Sequence, residues 1–297
     1  MKNLLLVPIL LSLLMMSCQG GKLMNQGPFT ITASFDADEG GLRHLLRLDH
    51  TGRADLVIES NVLEPATEAI GVYRAEIGKE RAQEFRGVWA ALSSRSMPES
   101  QPVPPGSTMV LVSLEEAGST KTWMIEPSSS PPAMCKAAER FREVGKEAEK
   151  NPVREIRLKA SLDKTVIERS TSVKVTIKLT AEGVEHVSVV NPLTAPRKRT
   201  GGFTLWGVRS DLPPADIWPQ HSIHKMLTPE LLATSQPLTK EDFLMLPPGK
   251  TSEYEFTVPI TWEPGEYAVK VIFESLYSAD KVLKGKIVSL PVKVKVQ

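Results

Sequence analysis

The sequence has few of the residues on which several protein classes depend. Its 297 residues include only two cysteines, Cys18 and Cys135, which excludes a disulfide framework and a zinc site built from several thiolates. The motifs Gly-x-Ser-x-Gly, Gly-x-Gly-x-x-Gly and Cys-x-x-Cys are also absent. Serine hydrolases, dinucleotide-binding enzymes and zinc ribbons therefore lack their usual residues here.

A surplus of positive charge is missing as well. The chain has 36 Lys and Arg side chains against 35 Asp and Glu. A protein that binds nucleic acid needs a basic surface to neutralise phosphates. The near-neutral balance argues against nucleic acid as a partner, and the basic triplet at 197–199 is small enough to be a solvated turn.

Only one long hydrophobic run is present, and it lies at the start of the chain. Residues 4–14 are almost continuously apolar, Lys2 precedes them, and Ser17 and Cys18 follow. The run is too short to span a bilayer. A basic start, a short apolar core and a small residue before the cleavage point are typical of a secretory signal, so residues 1–17 are predicted to be a signal peptide.

A cysteine directly after the small residue resembles the lipobox of bacterial lipoproteins. The resemblance implies cleavage before Cys18 and lipidation of Cys18, which would hold the protein to a membrane. Gln19 stands where an Asp would favour the inner membrane, so the resemblance implies the outer membrane, facing the periplasm or the cell surface. Residues 18–27 are rich in Gly, Gln and Asn, and we expect them to be a tether.

Alternating apolar and polar residues dominate the rest of the chain and predict a mainly β or α+β fold. For residues 28–151 we expect an α+β domain, in which an antiparallel sheet carries two helices. The helices are predicted from the apolar positions Ala82, Phe85 and Trp89, and from the amphipathic segment between Met134 and Ala148.

Residues 152–297 alternate as strands without a long helix, and Pro152 is the predicted domain boundary. Seven predicted strands joined by turn sequences are typical of an immunoglobulin-like β-sandwich. Pro264-Gly265-Glu266-Tyr267 resembles the tyrosine corner of that fold. The resemblance implies that the Tyr267 hydroxyl bonds back to the backbone.

A long insertion at 209–249 interrupts this predicted domain and contains seven prolines. It is too long for a simple connection between strands, so a recognition surface is expected here first. Thr228 and Thr239 stand where they would cap short helices. Trp206 and Trp218 are candidates for an aromatic contact patch, although Trp206 is equally consistent with a core position.

His221 and His224 lie three residues apart in the insertion and would face one way on a helical turn, as two zinc ligands would. Asp211, Asp216 or His186 would supply a third ligand. The Glu of a His-Glu-x-x-His motif is missing, and Pro219 disfavours a helix around the pair. Two solvated loop histidines are therefore the alternative interpretation.

These observations favour a non-enzymatic lipoprotein of the cell envelope, anchored through Cys18 and without a cofactor. It would bind or scaffold an unidentified envelope protein through sheet edges or the insertion. One alternative is a metal-binding protein or metal-dependent enzyme that uses His221 and His224. Another is a protease inhibitor, because the strand pattern of residues 153–297 resembles small bacterial inhibitor domains of immunoglobulin-like shape.

Overall fold

Strands whose side chains alternate between buried and exposed positions make up most of the protein. The computed structural model describes residues 27–36, 42–60, 67–92, 110–126, 128–194, 201–213, 222–228, 238–277 and 281–297. Within these ranges the chain forms seventeen β-strands and two α-helices, and almost all strand pairs are antiparallel. The predicted mainly β or α+β fold with antiparallel sheets and two helices is confirmed.

Nine strands form one continuous sheet. In spatial order they are β14 (Thr251–Pro259), β9 (Ser172–Gly183), β7 (Pro152–Leu162), β4 (Ala69–Glu76), β3 (Arg53–Ser60), β2 (Leu42–Asp49), β1 (Phe29–Asp36), β5 (Val110–Glu116) and β6 (Ser119–Ile125). Because β4 pairs with β7, the sheet continues across residues 151 and 152.

A second sheet and a small ribbon complete the described strands. The second sheet runs in the order β12 (Ser222–Met226), β11 (Gly201–Arg209), β15 (Gly265–Ser275), β17 (Val292–Val296) and β8 (Val166–Ile167), and β16 (Gly285–Val288) also pairs with β15. The ribbon consists of β10 (Val187–Val190) and β13 (Phe243–Leu246).

Two helices cover one side of strands β1 to β6. Helix α1 (Lys79–Ala91) begins after Gly78, and its buried residues are the predicted Ala82, Phe85 and Trp89. Helix α2 (Pro132–Glu149) has proline at its start, where the missing N–H removes no helical hydrogen bond. Phe85 of α1 meets Phe141 of α2 edge to face, with ring centroids 5.4 Å apart.

The nine-stranded sheet has two halves, β1 to β6 and the group β7, β9 and β14, and they bury opposite sides of the sheet. Successive side chains of a strand point to opposite sides, and β4 shows the change within one strand. Tyr73 of β4 lies in the hydrophobic cluster under the helices, whereas Ile70 of β4 lies in the cluster between β7, β9, β14 and the second sheet. One sheet therefore serves two cores.

Polar groups are buried where the halves meet. Glu155 of β7 is only 4% exposed, and it accepts a hydrogen bond from the guanidinium of Arg157. Arg157 also lies 3.3 Å from a carboxylate oxygen of Glu182. Burial, together with the nearby Glu155 carboxylate, raises the pKa of Tyr73 above its usual range. A buried carboxylate is tolerated only with such partners.

Several sequence expectations can be compared with these elements. The Tyr267 hydroxyl donates to the carbonyl of Glu263 at 2.9 Å, as the corner resemblance implied. The immunoglobulin-like assignment and the boundary at Pro152 stay predictions. The sequence pattern missed four short strands, β8, β12, β13 and β16. Among the described residues, neither helix is long and apolar enough to span a membrane.

Gly71 tests the pairing that joins the two halves. A Cβ at this position would lie 2.5 Å from the Arg154 carbonyl oxygen and 3.0 Å from the Glu155 Cα, so backbone would have to move. We expect Gly71→Ala to lower the free energy of unfolding by ~1–3 kcal/mol, measured by urea denaturation.

Gly87 provides the matched control. It lies on the exposed side of α1 with nothing within 4 Å of an added Cβ. Gly87→Ala should stabilise the protein by ~0.5–1 kcal/mol because alanine favours a helix. Equal stability changes in the two variants would contradict the close β4–β7 approach.

Candidate functional site

Strand β11 is held firmly in the core of the second sheet. The ring of Phe203 is completely buried, and its centroid lies 5.0 Å from Tyr254, 6.1 Å from Phe256 and 5.3 Å from Phe273. Leu205 points to the same side and is also completely buried. The side chains that leave β11 on its other side therefore project from a rigid support.

Trp206 is one of these outward side chains, and it is half-buried. The strand register places His224 of β12 on one side of it and Lys270 of β15 on the other. The Lys270 ammonium nitrogen lies 5.4 Å from the centroid of the indole ring. This is a cation–π contact, which fixes the ring and places a positive charge beside it.

Two apolar side chains extend this surface along the strands. Val208 is half-buried two positions beyond Trp206, and Met226 of β12 is 38% exposed opposite Thr204. We call Trp206, Val208, His224, Met226 and Lys270 together the Trp206 face. It combines an aromatic ring, a flexible thioether, an imidazole and a cation. Aromatic residues and methionine are enriched at protein interfaces.

An ion pair lies where β11 ends, on the side of the strand opposite to Trp206. Arg209 donates to both carboxylate oxygens of Asp211, at 2.6 and 2.8 Å. The guanidinium carbon also lies 5.5 Å from the ring centroid of Tyr267. Gly265 makes room for it, since a Cβ there would lie 2.4 Å from that carbon. The hydrogen bonds from Arg209 lower the pKa of Asp211 to about 2.

The structure brings together two of the residues that the sequence singled out. Trp206 and His224 are direct partners on neighbouring strands. Trp218, His221 and Cys18 lie outside the described residues. Sequence analysis missed Lys270 and Met226. The lone lysine in the otherwise apolar strand between Tyr267 and Phe273 could have indicated an exposed functional position. No feature of the sequence indicated Met226.

The predicted zinc ligands can be followed only in part. Residues 222–226 form a strand, so His224 does not lie on the helical turn that was considered for the histidine pair. Both carboxylate oxygens of Asp211 are bound by Arg209, and His186 is exposed. In the described part of the chain, no three His, Cys, Asp or Glu side chains are grouped to hold a metal ion. The zinc interpretation stays a hypothesis.

A second polar cluster lies on the open side of strands β2 to β4. Arg47, Asp49, Arg53 and Asp55 line a cavity of about 230 Å³. Asp55 is bound by Arg53 at 2.9 Å and by Arg74 at 2.7 Å. Because Asp55 is paired with Arg53 of its own strand and with Arg74 of β4, the cluster contributes to sheet stability and is a weaker site candidate than the Trp206 face.

Comparison with known proteins adds no relative. No protein-family model matches the chain, and no curated protein matches its sequence. The function therefore has to be inferred from the residues themselves.

The Arg209–Asp211 pair makes stability depend on pH. The pKa of Asp211 is about 2 in the folded protein, against about 3.9 for an unfolded aspartate. The pair therefore stabilises the protein above pH ~4, and this contribution is lost as the pH falls through about 2. Asp211→Asn should cost ~0.5–1 kcal/mol at pH 7, and the cost should shrink between pH 4 and pH 2.

Thermal unfolding of the two proteins across this pH range is the measurement. A difference that stays constant from pH 7 to pH 2 would show that the Asp211 charge is not the cause.

Proposed function

We propose that the protein is a lipid-anchored protein of the cell envelope that binds a protein partner through the Trp206 face. The single observation that carries the binding role is the placement of a half-buried Trp206 on a rigid strand, with Lys270 against its ring and exposed Met226 beside it. Tryptophan in such a setting supplies much of the binding energy in protein interfaces.

The composition of the face supports binding rather than catalysis. Its five side chains provide apolar contact area, one fixed cation and one imidazole. They include no Ser, Thr or Cys side chain for which His224 would act as a base. Partner binding uses apolar contact area and a few well-placed polar groups, and this set of side chains contains both.

The position of the face relative to the insertion supports the same role. Strand β12 belongs to the segment 209–249 and contributes His224 and Met226, while β11 ends at the first residue of that segment. The insertion thus adds an edge strand to the second sheet and widens the outward surface around Trp206. Surfaces built from such insertions on a rigid framework are common binding sites.

The anchor is supported by the sequence at Cys18. A tether from Cys18 to Gly27 reaches at most ~30–35 Å when fully extended. The folded part would then stay close to the membrane while retaining freedom to orient toward a partner. The zinc and protease-inhibitor alternatives gain no support from the contacts of the described residues.

Membrane attachment is tested by replacing the lipidation residue. With Cys18 intact, we expect the protein in the membrane fraction and released only by detergent, because acyl chains partition into the bilayer. Cys18→Ala should abolish acylation, detected by metabolic labelling with a fatty acid. Cys135→Ala is the control that removes the other cysteine and should leave labelling unchanged. Unlabelled wild-type protein would contradict the anchor.

Partner binding is tested by cross-linking and affinity capture from envelope extracts. We expect Trp206→Ala to weaken capture of a specific partner at least ~30-fold, equivalent to about 2 kcal/mol. Met226→Asp should weaken it too, and this exposed position lets the fold remain intact. Thr176→Ala, on the exposed side of β9, is the matched control.

The pattern across these variants decides the question. Capture that survives both face variants would reject the Trp206 face as the binding surface. Capture that is lost equally in the Thr176→Ala control would point to an indirect effect on the fold.

A further inference from the structure

The two larger sheets leave four edge strands among the described residues. The nine-stranded sheet ends at β6 and β14, and the second sheet ends at β12 and β8. An edge strand presents unpaired backbone N–H and C=O groups that can pair with another chain. The four edges differ in length and charge, and these differences decide which of them is suited to such pairing.

Strand β6 has the edge best suited to pairing. It is joined to β5 by the two-residue turn Ala117-Gly118, whose φ values of 49° and 76° are those of a type I′ hairpin. In such a hairpin the flanking pair, Glu116 and Ser119, exchanges hydrogen bonds, and every second residue does the same.

The backbone of β6 is therefore divided between two directions. The odd-numbered residues from Ser119 to Ile125 bond to β5. The N–H and C=O groups of Thr120, Thr122 and Met124 point to the outer edge, with which no described strand pairs.

We propose that a second copy of the chain pairs with this edge, antiparallel, with the twofold axis at Thr122. In this register Thr122 faces its own copy and Thr120 faces Met124. All three outward-pointing residues then form hydrogen-bonded pairs, which gives about six interchain bonds. Thr–Thr pairs are favourable neighbours across strands. The two sheets would become one continuous sheet of eighteen strands.

Charge and the number of hydrogen bonds favour this register over the two registers with the axis one residue away. The twofold axis must pass through a residue. If it passed between two residues, each residue whose backbone groups point to the outer edge would face a residue whose groups point to β5. Moving the axis to Lys121 places two ammonium groups opposite each other, which is destabilising. Moving it to Trp123 leaves only four of the six bonds, by the same count of outward groups. The axis at Thr122 sets Lys121 against the uncharged Trp123.

The other edges are less compatible with self-pairing. Strand β14 would set Glu255 against Glu255 in its longest register, and it ends in Pro259. Strand β8 has only two residues. Strand β12 has five residues and already contributes to the Trp206 face. The dimer edge and the Trp206 face lie on different sheets, so both can be used at once.

The test is the mass of the soluble chain beginning at Gln19, measured by light scattering and sedimentation over a concentration series. We expect a monomer–dimer equilibrium. Thr122→Pro should yield a monomer, because it removes the outward N–H, and proline is tolerated on an edge strand in that position. The variant also loses the hydroxyl that lies 3.2 Å from that of Ser113. Circular dichroism checks that the fold of this variant is retained.

A pair of variants with opposite charges tests whether misfolding explains the loss of the dimer. Thr122→Lys and Thr122→Glu should each be monomeric alone, since each sets like charges across the axis. Mixed together they should form a heterodimer. Thr257→Glu places the same charge on the opposite edge of the same sheet and should dimerise as wild type does. A wild-type chain that is monomeric throughout, a dimer that survives Thr122→Pro, or a mixture that stays monomeric would each overturn the proposal.

Discussion

The pairing of β4 with β7 is the interaction on which the rest of the architecture depends. It joins six strands that pack under two helices to three strands that pack against a second sheet. Because side chains alternate along a strand, one sheet can bury either of its sides, and here the choice changes at this seam. The close approach of Gly71 to the backbone of β7 and the pairing of buried Glu155 with Arg157 keep the junction tight without leaving an unpaired charge.

This arrangement leaves three exposed sheet surfaces. They are the side of β1 to β6 away from the helices, the side of β7, β9 and β14 away from the second sheet, and the outer side of the second sheet. On the exposed side of β9 and β14, Lys174 pairs with Glu255 at 2.7 Å and Lys178 pairs with Glu253 at 3.1 Å. Such pairs add little stability, but they keep the surface solvated. The Trp206 face differs in kind, because its one fixed cation lies against an indole ring and no carboxylate neutralises it in the strand register. That contrast is the reason for proposing the Trp206 face, and not the exposed side of β9 and β14, as a binding surface.

Long elements were predictable because their patterns repeat. The eight residues of β1 alternate cleanly, and α1 buries the apolar positions that a helical period selects. Short strands were not predictable in the same way. Strand β8 has two residues, and β13 has four that are all apolar, so neither shows a period that separates strand from loop. Their conformation is set by the neighbours with which they pair, and a linear pattern does not contain those neighbours.

The candidate site, too, was predictable only in part. Sequence alone was sufficient to predict a β-rich protein with two helices, to select Trp206 and His224, and to associate Tyr267 with a backbone hydrogen bond, because each of these depends on residue type and local spacing. Only the tertiary structure decided that His224 and Lys270 flank the indole ring, that one sheet joins both cores, and that Thr120, Thr122 and Met124 direct their backbone groups to an open edge. Those relations join residues that are dozens of positions apart or depend on which neighbour a strand acquires, and strand pairing is determined by the packing of the whole chain.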